Sequence, residues 1–329
     1  MEYRQLGASG VSVSAISFGA WAIGGWMWGG ANRQEAIQAI RTSIDEGVTS
    51  IDTAPAYGQG LSEELVGEAI KDIPRDQVQV MTKFGLRWDT TEGEFFFSSA
   101  DNEGKPIQMH KYAGKAGIIK ECEDSLRRLR TDYIDLYQIH WHDSTTPISE
   151  TMETLAQLQK EGKIRAAGVC NYTSEQMEEA GHTISLASNQ VPYSMILRDI
   201  EKDLVPYCAA NDKALIVYSP LQRGLLTGKI KKDHQFNEGD SRAALRFYTP
   251  ESIEKVNSFL DLLRPLAREK GASLAQLVLR WTIDQPHITV ALAGARNAQQ
   301  AGENAKAGNI HLTTEELDFI TKTLANAGY

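Results

Sequence analysis

Gly47–Val48–Thr49–Ser50–Ile51–Asp52–Thr53–Ala54–Pro55–Ala56–Tyr57–Gly58 is the stretch on which the fold turns. A short apolar run ends on an acid, and a loop of small residues and Pro then carries a tyrosine. Two later runs end in the same way. Val78–Gln79–Val80–Met81–Thr82 stops at Lys83, and Ile134–Asp135–Leu136–Tyr137–Gln138–Ile139 stops at His140. Three polar groups of different chemistry thus terminate three strand-like runs. In a parallel α/β barrel the C-terminal ends of the strands converge on one face, and that face carries the chemistry.

Outward from these runs, strand and helix signals alternate. Residues 3–15 predict a hairpin around Gly7–Ala8–Ser9–Gly10. Residues 16–19 predict a strand, and Ala36, Ile37, Ile40 and Ile44 fall at helical spacing. Ser62–Ile70 predicts a helix with Ser62 as its N-cap. Ile118, Cys122, Leu126 and Leu129 mark a helix, as do Met152, Leu155 and Leu158 after Pro147. Strands follow at 164–169, 186–191, 214–218 and 287–292. Helices are expected near 174–180 and 199–210, around Val256–Leu263 and Leu274–Trp281, and near 297–307 and 313–326. Strict alternation predicts a parallel sheet, and eight units fit a closed (β/α)8 barrel over residues 1–329, with an N-terminal hairpin and extra C-terminal helices. Two connections, 85–116 and 221–250, are far longer than the rest. Loops of that length within a compact domain are usually functional.

Composition sets limits. The 329 residues are 42% hydrophobic and 23% charged, with a formal net charge of -9. A nucleic-acid binder would carry a basic footprint. No apolar run is long enough to span a membrane, and residues 1–5 lack a signal-peptide core. The cysteines Cys122, Cys170 and Cys208 are odd in number and widely spaced, which suits reduced thiols in a cytoplasmic protein. The oligomeric state is not legible.

The strand-end groups suggest proton chemistry. A free phenol titrates near pH 10 and is a poor acid at neutrality. An ammonium beside it stabilises phenolate and lowers that value. Lys83 would do this for Tyr57, Asp52 would hold Lys83 charged, and His140 would hydrogen-bond a substrate carbonyl. Taken singly, an Asp at a strand end orders a turn and a Lys–Asp pair is a buried ion pair. His140–Trp141–His142–Asp143 lacks a third ligand at recognisable spacing, so no metal is expected. Trp88, in the first long connection, is either pocket wall or plain packing. Gly58–Gln59–Gly60 misses a dinucleotide-binding fingerprint, because Glu63 occupies the third glycine position. Elsewhere, the amides of Asn171 and Gln190 could pair with a carboxamide, and the Tyr218 ring could stack on a flat heterocycle. Gly294–Ala295–Arg296 leads into a helix start that suits a phosphate.

A series of motifs carries a resemblance. Phe18–Gly19–Ala20–Trp21, Ile51–Asp52–Thr53–Ala54 with Tyr57–Gly58, Thr82–Lys83, and Leu136–Tyr137–Gln138–Ile139–His140–Trp141 come first. Gly168–Val169–Cys170–Asn171, Asn189–Gln190, Tyr218–Ser219–Pro220–Leu221, Gly224–Leu225–Leu226–Thr227–Gly228–Lys229 and Gly294–Ala295–Arg296 follow in order. Together they resemble the aldo-keto reductases over nearly the whole chain. The resemblance implies Asp52, Tyr57, Lys83 and His140 as the catalytic set. It implies a nicotinamide cofactor held by Ala20, Trp21, Asp52, Asn171, Gln190, Tyr218, Ser219, Pro220, Leu221, Gly224, Leu225, Leu226, Lys229, Arg242, Gly294, Ala295, Arg296, Gln300 and Asn304. Trp21, Tyr57, Trp88 and His140 are the expected contacts of a small carbonyl substrate such as glyceraldehyde or methylglyoxal. Cys170 stands where many relatives carry Ser, and Gly294 where many carry Lys. That leaves the 2′-phosphate of NADPH largely to Arg296 and keeps NADH admissible. Two rivals accompany this reading: a redox-sensing regulatory subunit that binds nicotinamide, and a sugar-phosphate aldolase or isomerase with Lys83 as a Schiff-base nucleophile.

Overall fold

The computed structural model describes residues 1–236 and 239–329. In chain order the elements are β1 (Tyr3–Gln5), β2 (Ser12–Ser14), β3 (Ile16–Gly19), α1 (Arg33–Asp45), β4 (Ser50–Asp52), α2 (Leu61–Ile70) and β5 (Gln79–Phe84). Next come β6 (Leu86–Arg87), β7 (Glu94–Ala100), β8 (Pro106–Lys111), α3 (Lys115–Leu129), β9 (Ile134–Ile139), α4 (Ile148–Lys160), β10 (Ile164–Cys170) and α5 (Ser174–Gly181). The rest are β11 (Leu186–Pro192), α6 (Leu204–Ala210), β12 (Ala214–Tyr218), α7 (Pro250–Glu269), α8 (Leu274–Asp284), β13 (Ile288–Gly294), α9 (Ala298–Lys306) and α10 (Thr314–Asn326). Eight parallel strands close a barrel in the order β3-β4-β5-β9-β10-β11-β12-β13. The fold is therefore a (β/α)8 barrel, as the alternation predicts.

The antiparallel β1–β2 hairpin plugs the N-terminal end of the barrel. Its Leu6, Val11 and Val13 pack with Met81, Leu136, Ala166, Ile216, Val290 and Leu292 in one buried layer inside the strands. Burial of each large aliphatic side chain there contributes roughly 1.5–3 kcal/mol. A second, larger apolar layer lies between strands and helices. With one end plugged and the walls filled, the C-terminal end of the barrel is left for a site.

Helix starts follow local chemistry. Thr173, Ser273 and Thr313 each form a reciprocal capping box with the residue three positions on. Two boundaries differ from expectation. The helix expected near 199–210 divides into a single turn at Asp199–Glu201 and then α6, whose Pro206 lies in the first turn, where no backbone donor is needed. Ser62 lies inside α2 rather than capping it; Gly60, at φ 100, takes the cap position. The Ser62 hydroxyl instead donates to the Ala20 carbonyl at 2.8 Å and meets the Thr53 hydroxyl at 2.8 Å.

The first long connection holds structure of its own. β6, β8 and β7 form a three-stranded antiparallel flap. The consecutive Phe95–Phe96–Phe97 and a register shift between Phe95 and Phe97 break the alternation that would mark β7 in the sequence. The second connection, after β12, runs as short turns at Gln222–Thr227, Ser241–Ala244 and Arg246–Tyr248.

Candidate active site

Period-two alternation decides which groups enter the barrel mouth. Met81 packs in the interior layer, so Lys83, two residues on, faces inward as well. Leu136 likewise sets His140, and Ile216 sets Tyr218. Parallel register places Asp52 opposite Gly19 and Lys83 opposite Gln138. One cavity of about 570 Å³ opens over these strand ends.

Its floor is an ion pair. Lys83 Nζ donates to Asp52 Oδ2 at 2.7 Å and to the Thr53 carbonyl at 2.9 Å, with both side chains almost fully buried. Gln190 Nε2 donates to the other carboxylate oxygen at 2.7 Å. Gln190 is thus committed to Asp52 through its NH2, and its carbonyl oxygen is left to accept from a ligand. The Lys83 ammonium sits 4.9 Å from the centroid of the Tyr57 ring. The His140 ring stands edge-on to Tyr57 at 5.7 Å, and Trp21 stacks on Tyr57 at 6.1 Å. The Tyr57 loop can lie this close because Gly24 and Gly58 meet backbone to backbone. A Cβ on Gly24 would fall 2.6 Å from the Tyr57 carbonyl, and one on Gly58 2.2 Å from the Gly24 carbonyl.

The charge states follow from burial and partners. Burial pushes the Tyr57 phenol up to about 12, while Lys83 pulls it down. The sequence reading had Lys83 bringing the phenol toward neutrality; here desolvation outweighs it. Tyr57 is therefore protonated at neutral pH, as a donor must be. Burial works against the Lys83 charge, but Asp52 and then Tyr57 outweigh it and raise its pKa. An ammonium so held is no Schiff-base nucleophile. His140 is held well below the usual imidazole range, by burial first and the Lys83 charge second, so its ring is neutral. Burial also pushes the Cys170 thiol up, which makes it an inert wall rather than a nucleophile.

From this floor the cavity extends as a groove. Asn171, Tyr218, Ser219, Pro220, Leu221, Gly224, Lys229, Arg242, Gly294, Arg296, Gln300 and Asn304 all line it. Asn171 and Ser219 both have φ 57. The left-handed turn at Asn171 folds its amide back, donating to the His140 carbonyl at 3.2 Å and accepting from the Tyr218 hydroxyl at 2.9 Å. Asn297 caps α9 by accepting from the Gln300 amide, and Arg296 Nη2 donates to the Gly30 carbonyl at 3.2 Å. Three cations and a helix start at one end suit phosphates. A free amide oxygen and the Tyr218 ring at the other suit a carboxamide-bearing heterocycle. The donor set fits a nicotinamide dinucleotide.

Four of the expected cofactor residues do not line the groove. Ala20, Leu225, Leu226 and Ala295 are buried behind its wall. Trp88 is displaced too. It lines a second recess beside Gln59, Asp101 and Asn102 and packs in the small aromatic cluster under the flap. Arg87 bonds Asp89 through two nitrogens, each at 2.8 Å, and so fixes the turn that carries Trp88 away from the cavity. The sequence reading missed the actual aromatic wall: Trp26, Trp28, Phe96, Phe97 and Trp141. Phe96 packs on Trp141 at 5.2 Å, and Phe97 stacks on Trp26 at 6.2 Å. It also missed Arg223, whose guanidinium lies 4.7 Å over the Trp21 ring. The aromatic density of 26–28 and 95–97 was the available signal.

Comparison with known proteins bears on this geometry. A sequence profile described as the Aldo/keto reductase family matches residues 15–325. The chain is 40% identical over 328 residues to the aldo-keto reductase YhdN of Bacillus subtilis, covering 99% of this chain and 94% of that one. It is 37% identical to the NADH-specific methylglyoxal reductase of Escherichia coli, covering 89% of each. The glycerol dehydrogenase AKR11B4 structure from Gluconobacter oxydans superposes with a TM-score of 0.87 at 38% identity, covering 99% of this chain and 95% of that one. An aldo-keto reductase from Klebsiella pneumoniae solved with NADPH superposes with a TM-score of 0.72 at 30% identity, covering 98% and 95%. A (β/α)8 barrel matched to this family from Ala15 to Ala325, with relatives of 40% and 37% identity over nearly its full length, belongs to the aldo/keto reductase family and is an NAD(P)H-dependent oxidoreductase.

Proposed function

We propose that the chain reversibly reduces a small aldehyde or ketone to the alcohol, preferring NADPH, with Tyr57 as the proton donor. The observation that carries this is the floor of the cavity: a protonated phenol between a neutral imidazole and a buried ammonium. Gln190, Asn171 and Tyr218 would hold the nicotinamide end, and Lys229, Arg242, Arg296 and the start of α9 the phosphates. Bound there, the cofactor supplies the hydride. Every other step belongs to the side chains. Neutral His140 and Tyr57 both line the cavity and would offer donors to a carbonyl oxygen bound there, polarising it as negative charge builds. Tyr57 then releases its proton to that oxygen, which as an alkoxide is a far stronger base than a phenolate. Lys83, 4.9 Å from the ring, stabilises the phenolate left behind. Asp52 fixes Lys83 in charge and place.

Small carbonyl compounds are the favoured class because relatives of 37% and 38% identity are described as a methylglyoxal reductase and a glycerol dehydrogenase. Arg296 supports the preference for NADPH, although one relative is described as NADH-specific. The test is a panel of short aldehydes, ketones and polyols assayed with both cofactors. Turnover of several aldehydes, faster with NADPH, is the expected result. Tight cofactor binding without turnover of any carbonyl would favour the redox-sensing reading instead.

A further inference from the structure

The first turn of α2 touches neither the cavity nor its groove, yet it ties together the ends of β3, β4 and β5 and the loop that carries Tyr57. Ser62 bridges the Ala20 carbonyl, beyond β3, and the Thr53 hydroxyl, beyond β4. The Ser62 backbone amide donates to the Tyr57 carbonyl at 3.1 Å. The next residue, Glu63, is fully buried and accepts from the Thr82 hydroxyl of β5 at 2.6 Å. Its second oxygen accepts from Arg128 Nε of α3 at 2.6 Å. A buried carboxylate with both oxygens spent on partners costs desolvation that a well-packed apolar residue would not. Its position is where its value lies.

Thr82 precedes Lys83, and the two side chains point to opposite faces of β5. Fixing the Thr82 hydroxyl from outside the barrel fixes the rotation of the strand end, and with it the aim of Lys83 inside. The anchor itself is rigid. Gly67, one turn after Glu63, lets α2 press against α3; a Cβ there would fall 2.6 Å from the Arg128 carbonyl. On the other side of Lys83, the buried Glu121 of α3 accepts from the Gly85 amide at 3.0 Å. Residues 82–85 are thus clamped from two helices that are themselves in backbone contact.

We propose that Glu63, acting through Thr82, is a positioning residue that sets the distance from the Lys83 ammonium to the Tyr57 ring. The inference rests on the reading that Lys83 works on Tyr57. Its consequence is geometric. Without the Glu63–Thr82 bond, β5 twists slightly, the ammonium retreats from the phenol, and the phenolate is less stabilised. A misplacement of 1 Å in such a site can cost on the order of 10²-fold.

Thr82→Val tests this. It is nearly isosteric, removes only the hydroxyl and leaves the Glu63–Arg128 pair in place. We expect kcat to fall about tenfold, with KM and NADPH affinity hardly changed. The alkaline limb of the pH–kcat profile should move to higher pH, because Tyr57 loses part of the pull of Lys83. Thr82→Ser should restore both. A parental kcat with an unmoved alkaline limb would overturn the proposal. So would a loss of kcat without movement of the limb, which a purely structural role would give. If Thr82→Val does not fold, Thr82→Ala, which also removes only the hydroxyl donor to Glu63 among the polar contacts, carries the same expectations. Lys83→Met is the control. If it remains active, the reading of Lys83 fails. If it is inactive while Thr82→Val is parental, only the positioning role fails.

Discussion

The floor of the cavity and its rim are built on different principles. Asp52, Lys83 and Gln190 sit on adjacent or facing strand ends, are nearly free of solvent, and bond to one another at 2.7 Å. The rim comes from the flap and from the turns after β12. There Phe96 and Phe97 touch Trp141 and Trp26 through ring faces and edges, and the Ser241 amide reaches the Met27 carbonyl at 3.2 Å. Barrel register fixes the floor, so a change there must break a buried charge pair. Side-chain packing of long connections fixes the rim, so it can change shape without disturbing the floor. One barrel can then keep one reaction while changing what it admits.

The largest effect expected from separating the two regions is at Lys83. Lys83→Met should lower kcat by about 10²–10⁴-fold. It should also move the alkaline limb of the pH–rate profile upward, since Lys83 pulls the Tyr57 phenol down. The change leaves Asp52 buried without its cation, a loss of about 3–5 kcal/mol, so the folded fraction is measured alongside the rate. An unmoved profile with a high residual rate would remove Lys83 from the chemistry.

At the phosphate end of the groove, Arg296→Ala should weaken NADPH binding by about 10–100-fold and leave NADH nearly unaffected, because a charge-assisted bond to the 2′-phosphate contributes roughly 1.5–3 kcal/mol. Equal losses for both cofactors would mean that Arg296 serves only its bond to the Gly30 carbonyl.

Phe96→Ala probes the rim alone. KM for an apolar aldehyde should rise about tenfold, the equivalent of ~1.4 kcal/mol, with kcat unchanged. A fall in kcat instead would show that the flap reaches the floor.

The last effect is one of stability rather than of rate or binding. Burial pushes the Glu121 carboxyl up to about 8 from an ordinary value of 4.5, against the pull of Arg87. A carboxyl raised on folding stabilises the protein below its unfolded pKa, and that contribution is lost as pH climbs from about 4.5 through about 8. Tm of the parent should fall over that window, and Glu121→Gln, which cannot ionise, should flatten the fall. Parallel curves for both proteins would place the proton elsewhere.

Legibility in the sequence follows the same division. Asp52, Lys83 and His140 could be found because each ends a run whose alternation survives in one short segment, and the structure brings all three to one mouth. The bond from Gln190 to Asp52 could not be found. It exists only because the ring of strands closes between residues 138 positions apart. The flap escaped because three consecutive phenylalanines hide a bulged strand. The sequence leaves Trp88 open between pocket wall and packing because its direction depends on the Arg87–Asp89 pair, a contact across a turn with no periodic signature. The upward shift of Tyr57 depends on how much water the finished cavity excludes, which no local pattern states.

The most direct test of the central claim is single-turnover oxidation of bound NADPH by an aldehyde in Tyr57→Phe, with cofactor affinity measured on the same preparation. Loss of the donor with the ring retained should slow the turnover by about 10²–10⁴-fold at unchanged NADPH affinity. A near-parental rate in the folded variant would contradict the account, because the proton would then come from a group other than Tyr57.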